Sequence, residues 1–417
     1  MTMATDQLAA CVAGYAARLH AAIGARHHVA SPLGAWLILA LAGPASAGAD
    51  RAALTDVLGC DVDAAARAAS DLLTDPHPLV ATAAAAWTDP AAPLPASFVR
   101  WREALPTAVT TGDLPGQAGL DAWAREHTFG LIDRFPIAAD NLYLVLASAL
   151  ATKVSWQVPF DLAPAASLGA ESEWSGMVER VLRTPARPGG HRQFVAATDQ
   201  AGDVIVHVAA AADGLVVASV AALPGVPAGQ VLAAAYDLGG KHAVGGYVQA
   251  WDAASLSLGQ HALWSVREVT AGADSWAAVL PAWSATSEHD LAAPGLGFQA
   301  AKHALVKNDD PWQARQSAMA RYSRTGFEAA AVSALAVALS ARLPATHREV
   351  VLRFAHPYAV VAFTTAASTT GASTTAASTT GASTTGATGG AAAWDGLPVF
   401  SAWVSQPENA TDEDVLR

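Results

Sequence analysis

The chain has thirteen histidines, and these are the first candidates for chemistry because imidazole binds metal ions and transfers protons near neutral pH. Their spacing favours neither role. The side chains of the adjacent pair His27 and His28 would point about 100° apart on a helix and to opposite faces of a strand. No HExxH sequence and no zinc-type Cys/His spacing occurs. The sequence therefore predicts surface or core histidines and neither a metal nor a cofactor.

Nucleophilic side chains are no better arranged for catalysis. The sequence contains no GxSxG elbow, no Walker A loop and no GxGxxG turn. The two cysteines, Cys11 and Cys60, are too few for a disulfide scaffold, and we interpret both as buried thiols. We therefore do not expect the chain to be an enzyme.

The segment 324–342, R-T-G-F-E-A-A-A-V-S-A-L-A-V-A-L-S-A-R, is compatible with more than one structure. Its Ala, Leu and Glu content favours a helix. Read with a period of two it is also a strand, whose larger apolar side chains share one face. The residues of that face are Phe327, Ala329, Ala331, Ser333, Leu335, Val337 and Leu339. Such a stretch could change state, although the pattern alone favours an amphipathic helix.

The elements that must position this segment are mostly helices in the first third of the chain and strands later. Helical spacing predicts helices over Asp6–Ile23, Ser31–Leu41, Ala49–Leu58, Ala64–Leu73, Phe98–Leu105 and Leu120–Phe135. Apolar runs predict a strand at Leu79–Trp87 and a central strand at Asn141–Lys153. Residues 200–280 predict strands and hairpins, with Gly239-Gly240 as a turn. This order predicts an α+β fold.

Composition excludes several classes of partner. The chain has 417 residues, a net charge of −12 and 52% hydrophobic residues, so it can form a large core. Its excess of acid argues against nucleic acid and anionic membrane as partners. Residues Val29–Ala49 form an uncharged run. Its apolar centre, Ala35–Ala42, is too short to span a bilayer and predicts a buried helix. The first residues lack a basic start before an apolar block, so we expect a cytoplasmic protein, with secretion by another route left open.

A low-complexity tract interrupts the end of the chain. Residues 364–388 repeat T-T-A-A-S and T-T-G-A-S without charge, aromatic ring or large aliphatic side chain, so the tract cannot offset its own ordering entropy. Strand-like sequences flank it at Val350–Phe363 and Leu397–Val404. We therefore predict a flexible insert, 364–393, between two strands.

Several stretches, in the same order and at similar spacing over about 400 residues, resemble the serpin family of protease inhibitors, and the chain resembles a divergent bacterial-type member. The matching stretches are H-V-A-S-P-L-G-A-W-L-I-L-A-L-A-G at 28–43, L-D-A-W-A-R-E-H-T-F-G-L-I at 120–132, A-S-A-L-A-T-K-V-S-W-Q-V-P-F-D at 147–161, T-G-F-E-A-A-A-V at 325–332, R-F-A-H-P-Y-A-V-V-A-F at 353–363 and L-P-V-F-S-A-W-V-S-Q-P at 397–407.

The resemblance implies one serpin domain over 1–417, with three β-sheets, eight or nine helices and a metastable native state. It implies an exposed reactive-centre loop at 325–347, which a protease cleaves and which then inserts into the main sheet as a strand. The hinge would be Gly326, Phe327, Glu328, Ala329, Ala330 and Ala331. The scissile bond would lie near Ser340, Ala341 and Arg342. The residues of the shutter and breach beneath the sheet would be Ser31, Pro32, Ser148, Trp156 and Gln316.

Four positions depart from the family pattern. Phe327 stands where Thr or Ser is favoured, and Arg324 where Glu is usual. Ser148 and Gln316 replace an Asn and a His that form a hydrogen-bonded pair in many members. The function we expect is that of a monomeric inhibitor of a serine or cysteine protease of unknown identity. The alternative is a non-inhibitory binding or carrier protein with the same fold.

Overall fold

A computed structural model describes residues 3–91, 95–138, 142–211, 214–271, 273–306, 312–327, 345–365 and 390–411. Within these residues there are nine α-helices and nineteen strands, which confirms the predicted α+β class. The helices are α1 Thr5–Ile23, α2 Pro32–Ala42, α3 Gly48–Leu58, α4 Val62–Thr74, α5 Ala96–Glu103, α6 Gln117–Glu126, α7 Ala228–Ala243, α8 Phe298–Leu305 and α9 Gly390–Trp394. The strands are β1 His28–Ala30, β2 Val80–Thr88, β3 Val109–Asp113, β4 Leu144–Thr152, β5 Val154–Ser155, β6 Asp161–Pro164, β7 Arg180–Arg183, β8 His191–Thr198, β9 Gly202–Ala210, β10 Leu215–Ala222, β11 Gly259–Gln260, β12 Trp264–Ala271, β13 Ser275–Leu280, β14 Trp283–Asp290, β15 Arg315–Tyr322, β16 Gly326–Phe327, β17 Ala345–Arg353, β18 Tyr358–Thr364 and β19 Pro398–Val404.

The strands form four hydrogen-bonded groups. Two groups have six strands each, in the orders β1-β19-β18-β10-β9-β8 and β11-β12-β17-β13-β7-β6. The other two have the orders β14-β15-β16-β5 and β3-β2-β4. Because Lys153 alone separates β4 from β5, these last two groups are halves of one surface. The strands therefore make the three sheets that the resemblance implied.

Helix α2 is the buried helix predicted from the uncharged run. All eleven of its residues are buried. Ser31 caps it by accepting a hydrogen bond from the Gly34 N–H at 3.3 Å, and Pro32 occupies its first turn, where a missing N–H costs nothing. In the part of the chain that the structure describes, no helix is long and apolar enough to cross a membrane.

The prediction of strands and hairpins throughout 200–280 is wrong for α7. This sixteen-residue helix lies on the sheet and buries Val231, Leu232 and Leu238 on one face. Gly239, predicted as part of a turn, lies inside the helix. A glycine is needed there because a Cβ would come within 2.5 Å of the Phe363 ring. The glycine marks close packing of helix on strand and not a chain reversal.

Two further boundaries differ from prediction. The helix predicted over Leu120–Phe135 ends at Glu126, because the chain turns through left-handed backbone at Phe129 (φ 53°) and Gly130 (φ 75°). The strand predicted over Asn141–Lys153 is β4, and among the described strands it pairs with β2 alone, as an edge of its three-stranded group. Its burial on both faces gave the pattern of a central strand.

The chain just before the Thr-rich insert is hydrogen-bonded to the chain that follows it. Thr364 is the last residue of β18, and its N–H donates to the Leu397 carbonyl at 3.0 Å. The Gly396 N–H donates back to the Thr364 carbonyl at 2.9 Å. Trp394 of α9 is fully buried and its indole donates to the Asp75 carbonyl at 2.9 Å. The insert is therefore narrower than the predicted 364–393.

Because these bonds fix the chain on both sides of the insert, replacement of 366–389 by a short Gly/Ser linker should change the unfolding midpoint by no more than ~2 °C, since loop-closure entropy varies slowly with length. The measurement is thermal unfolding followed by circular dichroism. As a matched comparison, Trp394→Ala should cost about 3–5 kcal/mol, because it empties a buried site. A large loss of stability on deletion would contradict this interpretation.

Four side chains form a buried hydrogen-bond relay between α7, β19, α1 and β1. The Tyr236 hydroxyl donates to Ser401 Oγ at 2.9 Å, and Ser401 Oγ lies 2.7 Å from His20 Nε2. His20 Nδ1 lies 2.8 Å from His28 Nε2, and His28 Nδ1 lies 2.8 Å from the Arg26 carbonyl. A carbonyl only accepts, so His28 Nδ1 carries hydrogen and His28 Nε2 accepts from His20. Every donor therefore points the same way, and both rings are neutral.

Burial is the main cause that lowers the pKa of His20 to about 3 and that of His28 to about 4, below the value near 6.5 of an unfolded chain. Between pH 6.5 and 4 the unfolded chain therefore binds more protons than the folded one. As the pH is lowered from 6.5 to 4, the free energy of unfolding should therefore decrease, by about 1.4 kcal/mol per pH unit for each ring. Urea unfolding at successive pH values measures the slope.

The control separates these rings from carboxylates that titrate in the same range. His20→Gln keeps a donor and an acceptor without a titrating ring, so its slope should be shallower than that of the unsubstituted chain. Ala22→Gln, at an exposed position of α1, is the matched variant and should leave the slope unchanged because it adds no titrating group. Equal slopes for all three proteins would contradict the relay.

Candidate functional site

The first residues of the predicted reactive-centre loop form a strand inside the sheet. In β16, Phe327 pairs with Tyr322 of β15 on one side and with Val154 of β5 on the other. Gly326 pairs with Ser155. Both pairings are antiparallel, so β16 joins two strands that run parallel to each other. The chain has therefore turned back into the sheet by residue 326.

A tight turn between β15 and β16 makes this reversal. The Ser323 N–H donates to the Gly326 carbonyl at 3.0 Å, and the Ser323 hydroxyl donates to the same oxygen at 3.1 Å. Trp156 holds the turn from the side of β5. Its indole donates to the Ser323 carbonyl at 3.0 Å, and its backbone N–H donates to the Thr325 carbonyl at 3.0 Å. The predicted breach residue Trp156 thus contacts the turn directly.

The two hinge departures both have partners in the structure. Phe327 is only 4% exposed, and its ring meets Trp283 edge to face at 6.4 Å between centroids. Trp283 in turn stacks on Tyr322. The Arg324 guanidinium donates to the Phe160 carbonyl at 3.0 Å. An aromatic ring at position 327 is therefore a buried contact of the sheet and leaves β16 paired on both sides.

Three strands converge on the start of α2. The Ser31 N–H donates to Gln316 Oε1 at 3.0 Å, and Gln316 Nε2 donates to the Ser31 carbonyl at 2.8 Å. The Ser31 hydroxyl donates to the Val399 carbonyl at 3.0 Å, and the Ser148 hydroxyl donates to the Gly34 carbonyl at 2.8 Å. Ser148 and Gln316 thus both bind the helix start. A hydrogen bond between the two, which the resemblance had left open, is not among their described contacts.

Beyond β16 the sheet divides. β15 pairs along its whole length with β14, and β4 with β2. Within the described residues, neither strand has a partner on its other edge below the level of Phe327. Residues of both strands line a cavity of about 40 Å³, and its lining includes Ser31, Ser148, Gln316 and Trp123 of α6. The two edges therefore border a common gap in the described part of the chain.

The predicted site residues fall into separate places. Gly326, Phe327 and Trp156 lie together at one end of the sheet. Ser31, Pro32, Ser148 and Gln316 lie at the start of α2. The remaining hinge residues and the predicted scissile bond lie outside the described residues, and these are Glu328, Ala329, Ala330, Ala331, Ser340, Ala341 and Arg342.

A large cavity of the described chain was missed by the sequence analysis. It has a volume of about 1430 Å³ and lies between α1 and α7, with Phe363 and Pro398 of the sheet among its lining. Alanine is the most frequent residue of its walls, and its polar groups include His20 and Tyr236 of the relay and Lys241. The signal in the sequence was a row of alanines four residues apart on α1, namely Ala9, Ala13, Ala17 and Ala21. Small side chains at this spacing leave one face of a helix without bulk.

Metal chemistry finds no support in the geometry. Over the residues that the structure describes, no three His, Cys, Asp or Glu side chains are grouped so that they could hold a metal ion. The buried histidines bond to one another, to serine and to backbone carbonyls.

No family model matches the chain, and no curated protein matches it. Solved structures do. A cleaved serpin 42Da is similar with a TM-score of 0.61 and 13% identity, covering 98% of this chain and 99% of that one. The thermophilic serpin tengpin in its native state has a TM-score of 0.61 and 11% identity, covering 96% and 93%. Human thyroxine-binding globulin complexed with thyroxine has a TM-score of 0.62 and 13% identity, covering 97% and 100%.

These likenesses extend over nearly the whole length of both partners. They agree with the α+β architecture of the described chain. The chain has the serpin fold.

Proposed function

We propose that the chain inhibits a serine or cysteine protease by taking its cleaved loop into the sheet as a strand. One observation carries the proposal: β16 is already antiparallel to both β5 and β15, at the top of a gap between two strand edges. Strand addition to an open sheet is an established way for a protein to bind an extended segment. The segment in question follows β16 directly in the chain.

The register of β16 defines how insertion would continue. Two residues beyond Phe327, Ala329 would pair with Thr152 and Ala320, and Ala331 with Leu150 and Ala318. These flanking side chains are all at most 7% exposed, so only small residues fit between them without repacking. The alanines of the loop meet that requirement.

The next step in the same register falls at the start of α2. Ser333 would pair with Ser148 on one side and Gln316 on the other, beside the 40 Å³ cavity that these two line. A serine there brings one hydroxyl to a place where the neighbouring groups are already polar. The small and polar pattern of the loop thus matches the gap at successive positions.

The test uses trypsin-, elastase- and subtilisin-type proteases. Cleavage near Ser340 should yield a covalent complex that survives SDS, and the cleaved chain should unfold at least ~10 °C higher than the intact one, because the inserted strand gains hydrogen bonds on both edges. Gel electrophoresis and thermal unfolding measure the two effects. Clipping by every protease with neither effect would overturn the proposal.

Matched loop variants separate insertion from simple cleavage. Ala329→Glu would bury a carboxylate between Thr152 and Ala320, so we expect cleavage without complex and without the rise in unfolding temperature. Glu328→Gln is the control, because in the same register residue 328 would lie between the exposed residues Lys153 and Arg321. It should keep complex formation. Complex formation by Ala329→Glu at the normal yield would argue against this register.

A second candidate function, a carrier of a small apolar ligand, is favoured by the cavity between α1 and α7. Its volume of about 1430 Å³ exceeds that of typical drug-sized sites, and its lining is mainly apolar with a few polar groups. Thyroxine-binding globulin, which has the same fold, is solved with thyroxine. The two functions can be tested separately, because the cavity between α1 and α7 and the cavity at the sheet gap share no lining residue.

The carrier function predicts saturable binding of a fluorescent aromatic probe, anilinonaphthalene sulfonate, to the folded chain at neutral pH. Ala13→Trp places a ring in the cavity wall and should weaken binding at least ~10-fold. Ala22→Trp, at an exposed position of α1 outside the cavity, should leave affinity unchanged. Equal affinity for both variants would place the probe elsewhere and contradict a ligand site here.

A further inference from the structure

The two cysteines of the chain lie against each other although forty-eight residues separate them in sequence. Cys11 is on the buried face of α1, and Cys60 is in the turn between α3 and α4. The Cys60 thiol donates to the Leu58 carbonyl at 3.6 Å, and it lies close enough to the Cys11 sulfur for the two side chains to interact. Both are reduced in the structure. The only two thiols of the chain thus meet at one point.

The backbone before Cys60 is fixed close to Cys11. Gly59 ends α3 in the left-handed conformation, φ 71°, and a Cβ placed on it would stand 3.6 Å from the Cys11 Cα and 3.7 Å from its sulfur. The Cys11 thiol donates to the Gly59 carbonyl at 3.5 Å. The Trp36 indole donates to the Leu58 carbonyl at 3.1 Å. The turn therefore approaches α1 to van der Waals distance.

The backbone after Cys60 is equally fixed. The Asp61 carboxylate caps α4 by accepting from the N–H groups of Asp63 and Ala64 at 3.1 and 3.0 Å. Cys60 is thus held between a helix end and a helix cap, and its freedom to leave Cys11 is small. This pre-organisation lowers the entropic cost of linking the two sulfurs.

Access differs between the two thiols. Cys11 is 7% exposed, while Cys60 is partly exposed and borders the core. The neighbouring Cys60 thiol lowers the pKa of the Cys11 thiol, while the same contact and burial raise the pKa of the Cys60 thiol. Exposure, and not acidity, therefore makes Cys60 the first sulfur that a reagent reaches, and the Cys11 thiolate is the group that displaces the reagent from it.

The geometry points to a reversible disulfide between Cys11 and Cys60, formed by exchange with a low-molecular-weight disulfide such as oxidised glutathione. The Cys60 thiolate attacks one sulfur of the reagent, which breaks the reagent's S–S bond and releases one thiol. The Cys11 thiolate then attacks the Cys60 sulfur and releases the second. The two cysteines lose two protons and two electrons, and one reagent molecule is reduced to two thiols.

The disulfide would close a loop of about fifty residues and tie α1 to the α3–α4 turn. In the chain-entropy description this stabilises the folded state, and we expect the unfolding midpoint to rise by ~5 °C. Cys11 faces away from the cavity lined by the alanines of α1, so oxidation would leave that cavity open. The inference does not depend on protease inhibition or on ligand binding.

The experiment incubates the folded chain with oxidised glutathione and reads the product by intact mass, thiol alkylation and peptide mapping. The expected product has lost two hydrogen atoms, has no alkylatable thiol, contains a Cys11–Cys60 cross-linked peptide, and reverts with dithiothreitol. Cys60→Ala is the matched variant. It should fold, should keep one thiol that resists alkylation until the chain is unfolded, and should show no rise in unfolding temperature.

Three outcomes would overturn the inference. They are a glutathione adduct that persists on Cys60, a dimer linked between two chains, or two thiols that stay alkylatable after prolonged incubation. Cys11→Ala is a second variant with the same logic, and it should yield only the persistent adduct at Cys60. Protease inhibition assayed in parallel keeps the two proposals distinguishable.

Discussion

The structure depends on how the buried start of α2 satisfies its backbone polar groups. A helix buried on all sides has no water for its first N–H and nearby carbonyl groups, so protein must supply their partners. Gln316 of β15 bonds both polar backbone groups of Ser31, Ser148 of β4 bonds Gly34, and Ser31 bonds β19. Strands of two sheets are thereby tied to one helix end, and their relative positions follow from it.

This arrangement also shapes the gap between β4 and β15. Each strand is bound to α2 by a side chain, yet within the described residues neither is bound to the other. An unpaired strand edge is a free-energy cost that pairing can recover. Phe327 sits at the top of the gap, buried against Trp283 and paired with Tyr322 and Val154. Lower in the gap, the level of Ser148 and Gln316 is the one where both edges present polar side chains that bond to the start of α2.

Sequence reasoning located what local chemistry specifies and missed what packing decides. Ser31-Pro32 predicted the start of α2 because a capping hydroxyl followed by proline encodes a helix start. Gly239 misled because a glycine that admits the Phe363 ring looks, in sequence, like a glycine that permits a turn. The contact between Cys11 and Cys60 left no local signal, since it depends on how α1 meets a turn about fifty residues away. Family resemblance supplied the topology, which no single segment encodes.

The relay links the cavity wall to the same helix start. It begins at Tyr236, which lines the cavity, and ends at Arg26 just before β1, whose last residue precedes Ser31. All its hydrogen bonds point one way, so a charge on His28 would set its Nε2–H against the His20 Nδ1–H, and a charge on His20 would set its Nε2–H against the Ser401 O–H. The neutral state is therefore built into the geometry and not only favoured by burial. The side chains that connect cavity, sheet and helix are thus fully bonded to one another, whereas the strand edges beside β16 have no partner among the described residues.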